Sequence, residues 1–261
     1  MANDREPIST RSGLILEMLQ SRRSVKVSEL CAILQVSEIT IRRDLNDMAA
    51  KGLIRRVHGG AVLADSGEDA RFFANRAQQN AEVKRLLAAE AAKLVPDNGS
   101  VYLDSGSTCF EVARHLATTG REYLIVTDSI LVLRELFGIP RLETMILGGS
   151  LARDQVTVDG HLSTENARKL ALDVCLFSAN GFTTEHLANH YLSGVSTKET
   201  MIRTVKTSIC VVDASKFGQL GRFQFCRWDD VDVMITDSRL PEQAREEIAD
   251  KGVRLHIVPA K

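Results

Sequence analysis

Residues 36–61 read VSEITIRRDLNDMAAKGLIRRVHGGA, and this stretch decides how the first quarter of the chain folds. Ser37 stands where an N-cap belongs, just ahead of Ile41, Leu45 and Met48, which recur at helical spacing and so share one buried face. At about 100° per residue, Ile39, Arg43 and Asn46 project opposite that face, with Thr40 and Arg42 on its flanks. Two guanidiniums therefore sit near the amino end of a helix that can enter a major groove. Upstream, VSELCAIL (27–34) is a second, short amphipathic helix, and Gln35-Val36 leaves only a tight turn before Ser37, which is the geometry of a helix-turn-helix. Lys51-Gly52 stops the recognition helix, because glycine takes the left-handed C′ conformation without a Cβ clash. Residues 53–57 and 61–63 then flank His58-Gly59-Gly60 as a two-stranded wing, with Arg55, Arg56 and His58 placed for backbone phosphates. Ser37, Glu38, Thr40, Arg42 and Arg43 are the candidates for the groove itself. A surface helix with a solvated charge run is the plain alternative, but it leaves the turn, the glycine stop and the basic wing unexplained.

Charge is distributed to match. Through residue 63 there are ten Lys/Arg against seven Asp/Glu, a net of +3, whereas the remainder carries 23 against 27, a net of −4. The pI near 6.6 argues against non-specific polyanion binding by the larger part, while local phosphate contacts stay possible. At 261 residues with 44% hydrophobic residues the chain has core enough for two domains. The expected division is a winged helix-turn-helix domain over 8–63, a linker over 64–80 containing the Phe72-Phe73 pair, and an α/β domain over 81–261. The amino end is polar and no run reaches the roughly 18 apolar residues of a membrane span, so a cytoplasmic protein is expected. Five widely spaced cysteines in apolar stretches read as reduced packing residues. His186 and His190 lie four apart, but HExxH is absent and no third ligand is evident, so no metal and no cofactor are expected.

From residue 82 onward apolar strands alternate with helical patterns: strands are predicted at 100–104, 122–127, 142–147, 174–178, 208–213, 231–236 and 253–258. That rhythm implies a largely parallel sheet covered on both faces. In such sheets ligands bind beyond the carboxyl ends of the strands. Four predicted strand exits are polar: Asp104-Ser105-Gly106-Ser107-Thr108, Thr127-Asp128-Ser129, Gly148-Gly149 and Asp213-Ala214-Ser215-Lys216. The first combines a glycine, hydroxyls and a helix start, which together suit a phosphate; an ordinary N-cap after a turn accounts for the same residues equally. It is neither a Walker A loop nor GxGxxG, so a nucleotide site has no support. Lys216 can neutralise an anion as a point charge.

Residues 11–61 resemble the amino-terminal winged helix-turn-helix of the DeoR-type family of bacterial transcriptional regulators, whose hallmark TIRRDL stands at 40–45 and whose arginine-rich wing ending in HGGA stands at 55–61. Residues 81–258 resemble the same family's effector domain, related in fold to ribose-phosphate isomerases and CoA transferases, through DSGST, TDS, LGG, ANGFT, GVSTKE (194–199) and DASKFG (213–218). The resemblance implies a regulator of a carbohydrate-metabolism operon, a repressor relieved by inducer, that senses a phosphorylated sugar or related metabolite and acts as a homo-oligomer on double-stranded operator DNA. It also implies effector contacts at Ser105, Gly106, Ser107, Thr108, Thr127, Asp128, Ser129, Gly148, Gly149, Asn180, Gly181 and Lys216, beside the strand-exit residue Asp104. Two positions depart from many members, which carry Asn where Asp128 stands and Asp where Asn180 stands. A carboxylate at 128 repels phosphate unless it binds sugar hydroxyls, and an amide at 180 cannot act as the base an isomerase needs. Two other readings leave part of the chain unexplained. A sugar-phosphate isomerase or transferase leaves the basic winged module without a purpose, and a constitutive architectural DNA protein leaves the polar strand exits without one.

Overall fold

The helical stripe read at Ile41, Leu45 and Met48 is the centre of the smaller of two units. The computed structural model describes residues 10–22, 24–50, 54–57, 59–63, 70–152 and 156–260, which divide into Met1–Ser66 and Gly67–Lys261. Lys51, Gly52, His58 and residues 64–69 lie outside the described residues, as does the Arg55 side chain.

In the first unit, α1 (Thr10–Arg22) is followed by β1 (Ser24–Lys26), α2 (Val27–Leu34), α3 (Glu38–Ala50), β2 (Ile54–Val57) and β3 (Gly60–Leu63). Ile41, Leu45 and Met48 of α3 are buried together with Ile15, Leu19, Val25, Leu30 and Ile54. Between α2 and α3 the chain turns at Gln35, which takes a left-handed φ of 50°. Ser37 caps α3, its Oγ accepting from the Thr40 N–H at 3.3 Å. The wing gains a strand that the sequence did not announce: β1 pairs antiparallel with β3, giving the order β1-β3-β2. The paired glycines of the wing have separate causes. Gly59 turns the hairpin at φ 77°. At Gly60, opposite Lys26, a Cβ would stand 2.1 Å from the Val25 carbonyl oxygen, so only a bare backbone lets β1 close on β3.

The second unit starts with α4 (Ala70–Gln78) and α5 (Ala81–Lys93), then β4 (Ser100–Leu103), α6 (Ser107–Thr118), β5 (Tyr123–Thr127), α7 (Ile130–Leu136) and β6 (Leu142–Ile146). Next come β7 (Ser150–Leu151), β8 (Val158–Asp159), α8 (His161–Arg168), β9 (Val174–Phe177), β10 (Gly181–Phe182), β11 (His186–Asn189) and α9 (Val195–Thr204). β12 (Thr207–Val211), β13 (Phe223–Arg227), β14 (Val233–Asp237), α10 (Glu242–Ala249) and β15 (Arg254–Val258) complete it. The seven predicted strands form one parallel sheet in the order β15-β14-β12-β9-β4-β5-β6. Strand alternation divides its side chains between two cores. Val101, Leu103, Ile125, Leu176, Ile209 and Ile235 meet α5, α6 and α7 on one face. Tyr102, Val126, Cys175, Phe177, Cys210 and Met234 meet α8, α9 and α10 on the other. That second core also takes in Phe182, Leu187 and Phe225 of the small sheet β10-β11-β13, and Trp228. The stretch 64–80, read as a linker, therefore carries helix α4 from Ala70. Its Phe73 is buried edge-on against Phe110 of α6, ring centres 5.5 Å apart; the Phe72 side chain lies outside the described residues. EHLANH, read for its helical spacing, is strand β11 and its exit, so His186 and His190 stand about 13 Å apart along extended chain. Among the described residues no helix is long and apolar enough to cross a membrane.

Candidate functional site

The order of the large sheet reverses between β4 and β9. From β4 the chain adds β5 and β6 toward one edge, and from β9 it adds β12, β14 and β15 toward the other. At such a reversal the loops leaving neighbouring strands part to opposite faces and open a crevice beyond the carboxyl ends. A cavity lies there, about 730 Å³ with its open mouth included. Asp104, Ser105, Gly106, Ser107 and Thr108 line it after β4, Ser178, Ala179 and Asn180 after β9, and Asp213 and Lys216 after β12. Arg76 from α4, Lys84 from α5, Lys198 from α9, and Thr157, Asn189, Tyr191 and Ser193 complete the lining.

The loop after β4 carries donors of the kind that suit an anion. Gly106 is the N-cap of α6, with φ −68° and ψ 150°, so the first backbone N–H groups of that helix have no intrahelical acceptor and carry the positive end of its dipole. The buried Lys84 ammonium donates to the Ser107 hydroxyl at 3.1 Å and to the Arg76 carbonyl oxygen. Burial pulls the Lys84 pKa down to about 8, the nearby charge of Asp213 opposing it and those of Lys216 and Arg76 assisting it. An incoming anion restores the proton's advantage. Asn180 lines the opposite wall. Its Oδ1 accepts the His190 N–H at 3.0 Å, which leaves its amide nitrogen as the group able to donate to a ligand.

Beneath this surface lies a buried ion pair. Lys198 Nζ stands 3.0 Å from Asp104 Oδ2, each side chain about 5% exposed or less. The same carboxylate oxygen accepts the Ser178 N–H at 3.1 Å, and Lys198 donates to the Ser178 carbonyl at 3.0 Å. Asp104 and Lys198 thus bolt the exit of β4 to the exit of β9 across the reversal. Burial lowers the Lys198 pKa, but the charge and hydrogen bond of Asp104 overcome it and the net shift is upward. Asp128 is fully buried behind the pair, neither oxygen making a well-formed hydrogen bond. Burial first, then the charge of Asp104, push its carboxyl well above the usual range.

Seven of the predicted effector residues meet in the cavity: Asp104, Ser105, Gly106, Ser107, Thr108, Asn180 and Lys216. Thr127, Asp128, Ser129, Gly148, Gly149 and Gly181 are not among its lining residues. The strand order gives the reason, because β5 and β6 leave the sheet on the far side of β4. Thr127 donates to the Leu103 carbonyl at 2.7 Å, and Ser129 caps α7 by accepting from Val132 N–H at 3.3 Å. The Gly148 carbonyl accepts from Ser163 Oγ at 2.7 Å. A Cβ on Gly149 would stand 2.6 Å from the Asp159 carbonyl oxygen, and one on Gly181 2.2 Å from that of Gln219. Asp128, whose carboxylate the sequence sets against a phosphate, is fully buried, and its carboxyl is held toward the neutral acid. Lys84, Arg76 and Lys198 were missed. Two of them carried a signal: Lys84 lies in register with buried Leu87, Ala88 and Ala91, and Lys198 with Val195, Met201 and Ile202, and a lysine on an apolar stripe is buried for a reason.

The face of α3 agrees with its sequence reading. Ile41, Leu45 and Met48 are at most 2% exposed, whereas Ile39 is 81% exposed and Arg42, Arg43 and Asn46 are exposed beside it. Glu38 accepts from Arg42 Nε at 3.0 Å within an exposed i, i+4 pair. Arg56 of β2 is half-buried, one guanidinium nitrogen enclosed.

The family profile described as the DeoR-like helix-turn-helix domain matches residues 11–67, and that described as the DeoR C terminal sensor domain matches residues 79–238. The HTH-type transcriptional regulator GolR of Listeria innocua is 30% identical over 95% of this chain and 97% of its own length. The HTH-type transcriptional repressor GlcR of Bacillus subtilis is 29% identical over 93% of each. The glycerol-3-phosphate regulon repressor of Escherichia coli is 28% identical over 95% of this chain and 98% of its own. Among solved structures, ribose 5-phosphate isomerase A of Methanocaldococcus jannaschii is similar at TM-score 0.40 and 17% identity, covering 53% of this chain and 55% of that one, a likeness too remote to speak to chemistry.

Proposed function

Because this chain belongs to the DeoR family of transcriptional regulators, we propose that it is a cytoplasmic repressor of a carbohydrate-metabolism operon, released from its operator by a phosphorylated sugar or polyol. The observation that carries this reading is the cavity at the sheet reversal. The amino end of α6, Lys84, Arg76 and Lys216 gather positive charge on one part of its wall, while Asn180 and Asn189 offer amides on another. That division suits a ligand with a dianionic end and a hydroxylated body. The name of the Escherichia coli relative, a glycerol-3-phosphate regulon repressor, points the same way.

On DNA, paired winged domains of a homo-oligomer take half-sites spaced by helical turns of about 34 Å. Arg43 and Arg42 reach base edges from α3, with Ser37, Glu38 and Thr40 around them, and Arg55, Arg56 and His58 of the wing lie toward phosphates. Helix α4 supplies the coupling. It is the first element after the DNA-reading unit in the chain, and its Arg76 lines the cavity. A ligand that engages Arg76 and Lys84 biases how α4 is held. A coupling energy of about 1–3 kcal/mol changes operator affinity roughly 5- to 150-fold.

The test is a thermal-shift screen of sugar and polyol phosphates on the full chain, followed by operator binding in their presence. A ligand at 100 times its Kd adds about 2.7 kcal/mol of stability. Ser107→Ala and Lys216→Ala should weaken that shift, and the ligand should release DNA. If the unphosphorylated sugars shift the protein as well as their phosphates do, the assignment of the cradle to phosphate is wrong.

A further inference from the structure

Most side chains at the tip of α3 are already occupied. The Ser37 and Thr40 hydroxyls lie 2.8 Å apart in the cap, and Glu38 is held by Arg42. Ile39 is different. It is 81% exposed, stands on the same face as the exposed Arg43 one turn later, and belongs to a helix whose other large apolar residues, Ile41, Leu45 and Met48, are buried. A β-branched apolar side chain beside two exposed guanidiniums, Arg42 and Arg43, fits a partner that is anionic overall and apolar at one point. A major groove offers that combination: phosphates on its rims, and on its floor the C5 methyl of thymine, which distinguishes T·A from the other pairs by apolar contact.

We propose that Ile39 reads a thymine methyl and is a specificity-determining residue of this regulator, an inference that rests on α3 being the groove-reading helix. Ile39 and Arg43 are separated by about 6 Å along the helix axis. The thymine therefore lies within about two base pairs of the base that Arg43 contacts, given a rise of about 3.4 Å per base along a strand. Ile39 is stiff at χ1, so its methyls present a fixed surface and little rotamer freedom is lost on docking.

The experiment separates this inference from the reading beneath it. Sites are selected from a random duplex pool with the full-length protein, and each thymine of the enriched site is then replaced by deoxyuridine, which removes only the methyl. One thymine per half-site should show a loss of roughly fivefold with the wild-type protein. That loss should vanish in Ile39→Ala, which binds thymine and uracil duplexes alike, and should persist in Ile39→Val. Methyl sensitivity that is absent, or unchanged by Ile39→Ala, overturns the proposal while leaving the groove-reading helix intact. A pool from which nothing is enriched defeats both.

Discussion

Asp128→Asn should make the larger unit more stable, and more so as the pH rises. Asp128 is 0% exposed with no well-formed hydrogen bond, and burial together with the charge of Asp104 raises its pKa well above the carboxylate range. The folded protein therefore holds a proton that the unfolded chain releases near the ordinary value of about 3.9. A group raised on folding contributes fully below its unfolded pKa and loses that contribution as pH climbs toward its folded pKa. Within that window the wild-type protein loses about 1.4 kcal/mol of stability per pH unit from this one site. Asparagine has nearly the same shape and no proton to lose, so the variant lacks the slope and its lead over wild type should widen as pH rises above the unfolded value. The lone tryptophan of the chain, Trp228, is fully buried in the core beside this site's face of the sheet. Its fluorescence in urea titrations from pH 4 to pH 8 therefore reports the larger unit. A variant whose pH profile runs parallel to that of wild type would refute the reasoning. Lys198→Met is the contrasting case: it strands the ionised Asp104 in the interior and should cost about 3–5 kcal/mol by the same assay.

Other outcomes follow from the same geometry. Effector affinity should fall as pH rises through about 8, where Lys84 gives up its proton, and isothermal titration of Lys84→Met should show weaker binding without that knee. Arg43→Ala should cost about 1–3 kcal/mol of discrimination between operator and mutated operator in band-shift titrations. Arg42→Ala should cost less discrimination, because its guanidinium is already shared with Glu38. Arg76→Ala should leave operator affinity in the absence of ligand near wild type while shrinking the ligand-induced release, measured by fluorescence anisotropy; unchanged release would remove α4 from the coupling.

Much of this was legible in the chain before folding. The five inner apolar runs became strands of the sheet because a strand buried on both faces needs no alternation and so writes itself as a continuous apolar word, whereas the edge strands β6 and β15 are partly exposed and mix polar residues with apolar ones. The cap at Ser37 and the stripe at Ile41, Leu45 and Met48 were equally plain, being local. What could not be read was the order of the strands. The polar exits after β4, β5 and β6 look alike as text, yet only the first joins the exits of β9 and β12 around the cavity, because adjacency in the sheet is a long-range property. The resemblance supplied Asn180 and Lys216, which line the cavity, and also Thr127, Gly148 and Gly181, which do not. Lys84 and Lys198 were hidden by habit: charges on helices are usually solvated, and only their register against apolar neighbours betrays them.

Helix α4 touches the cavity through Arg76 and docks through Phe73 on Phe110. A recombinant hybrid that swaps the DNA reader of this protein for another should therefore be joined upstream of Ala70. A junction downstream of Gln78 would import a foreign helix into the wall of the cavity, and on the proposed function the hybrid would hold its DNA without answering the effector.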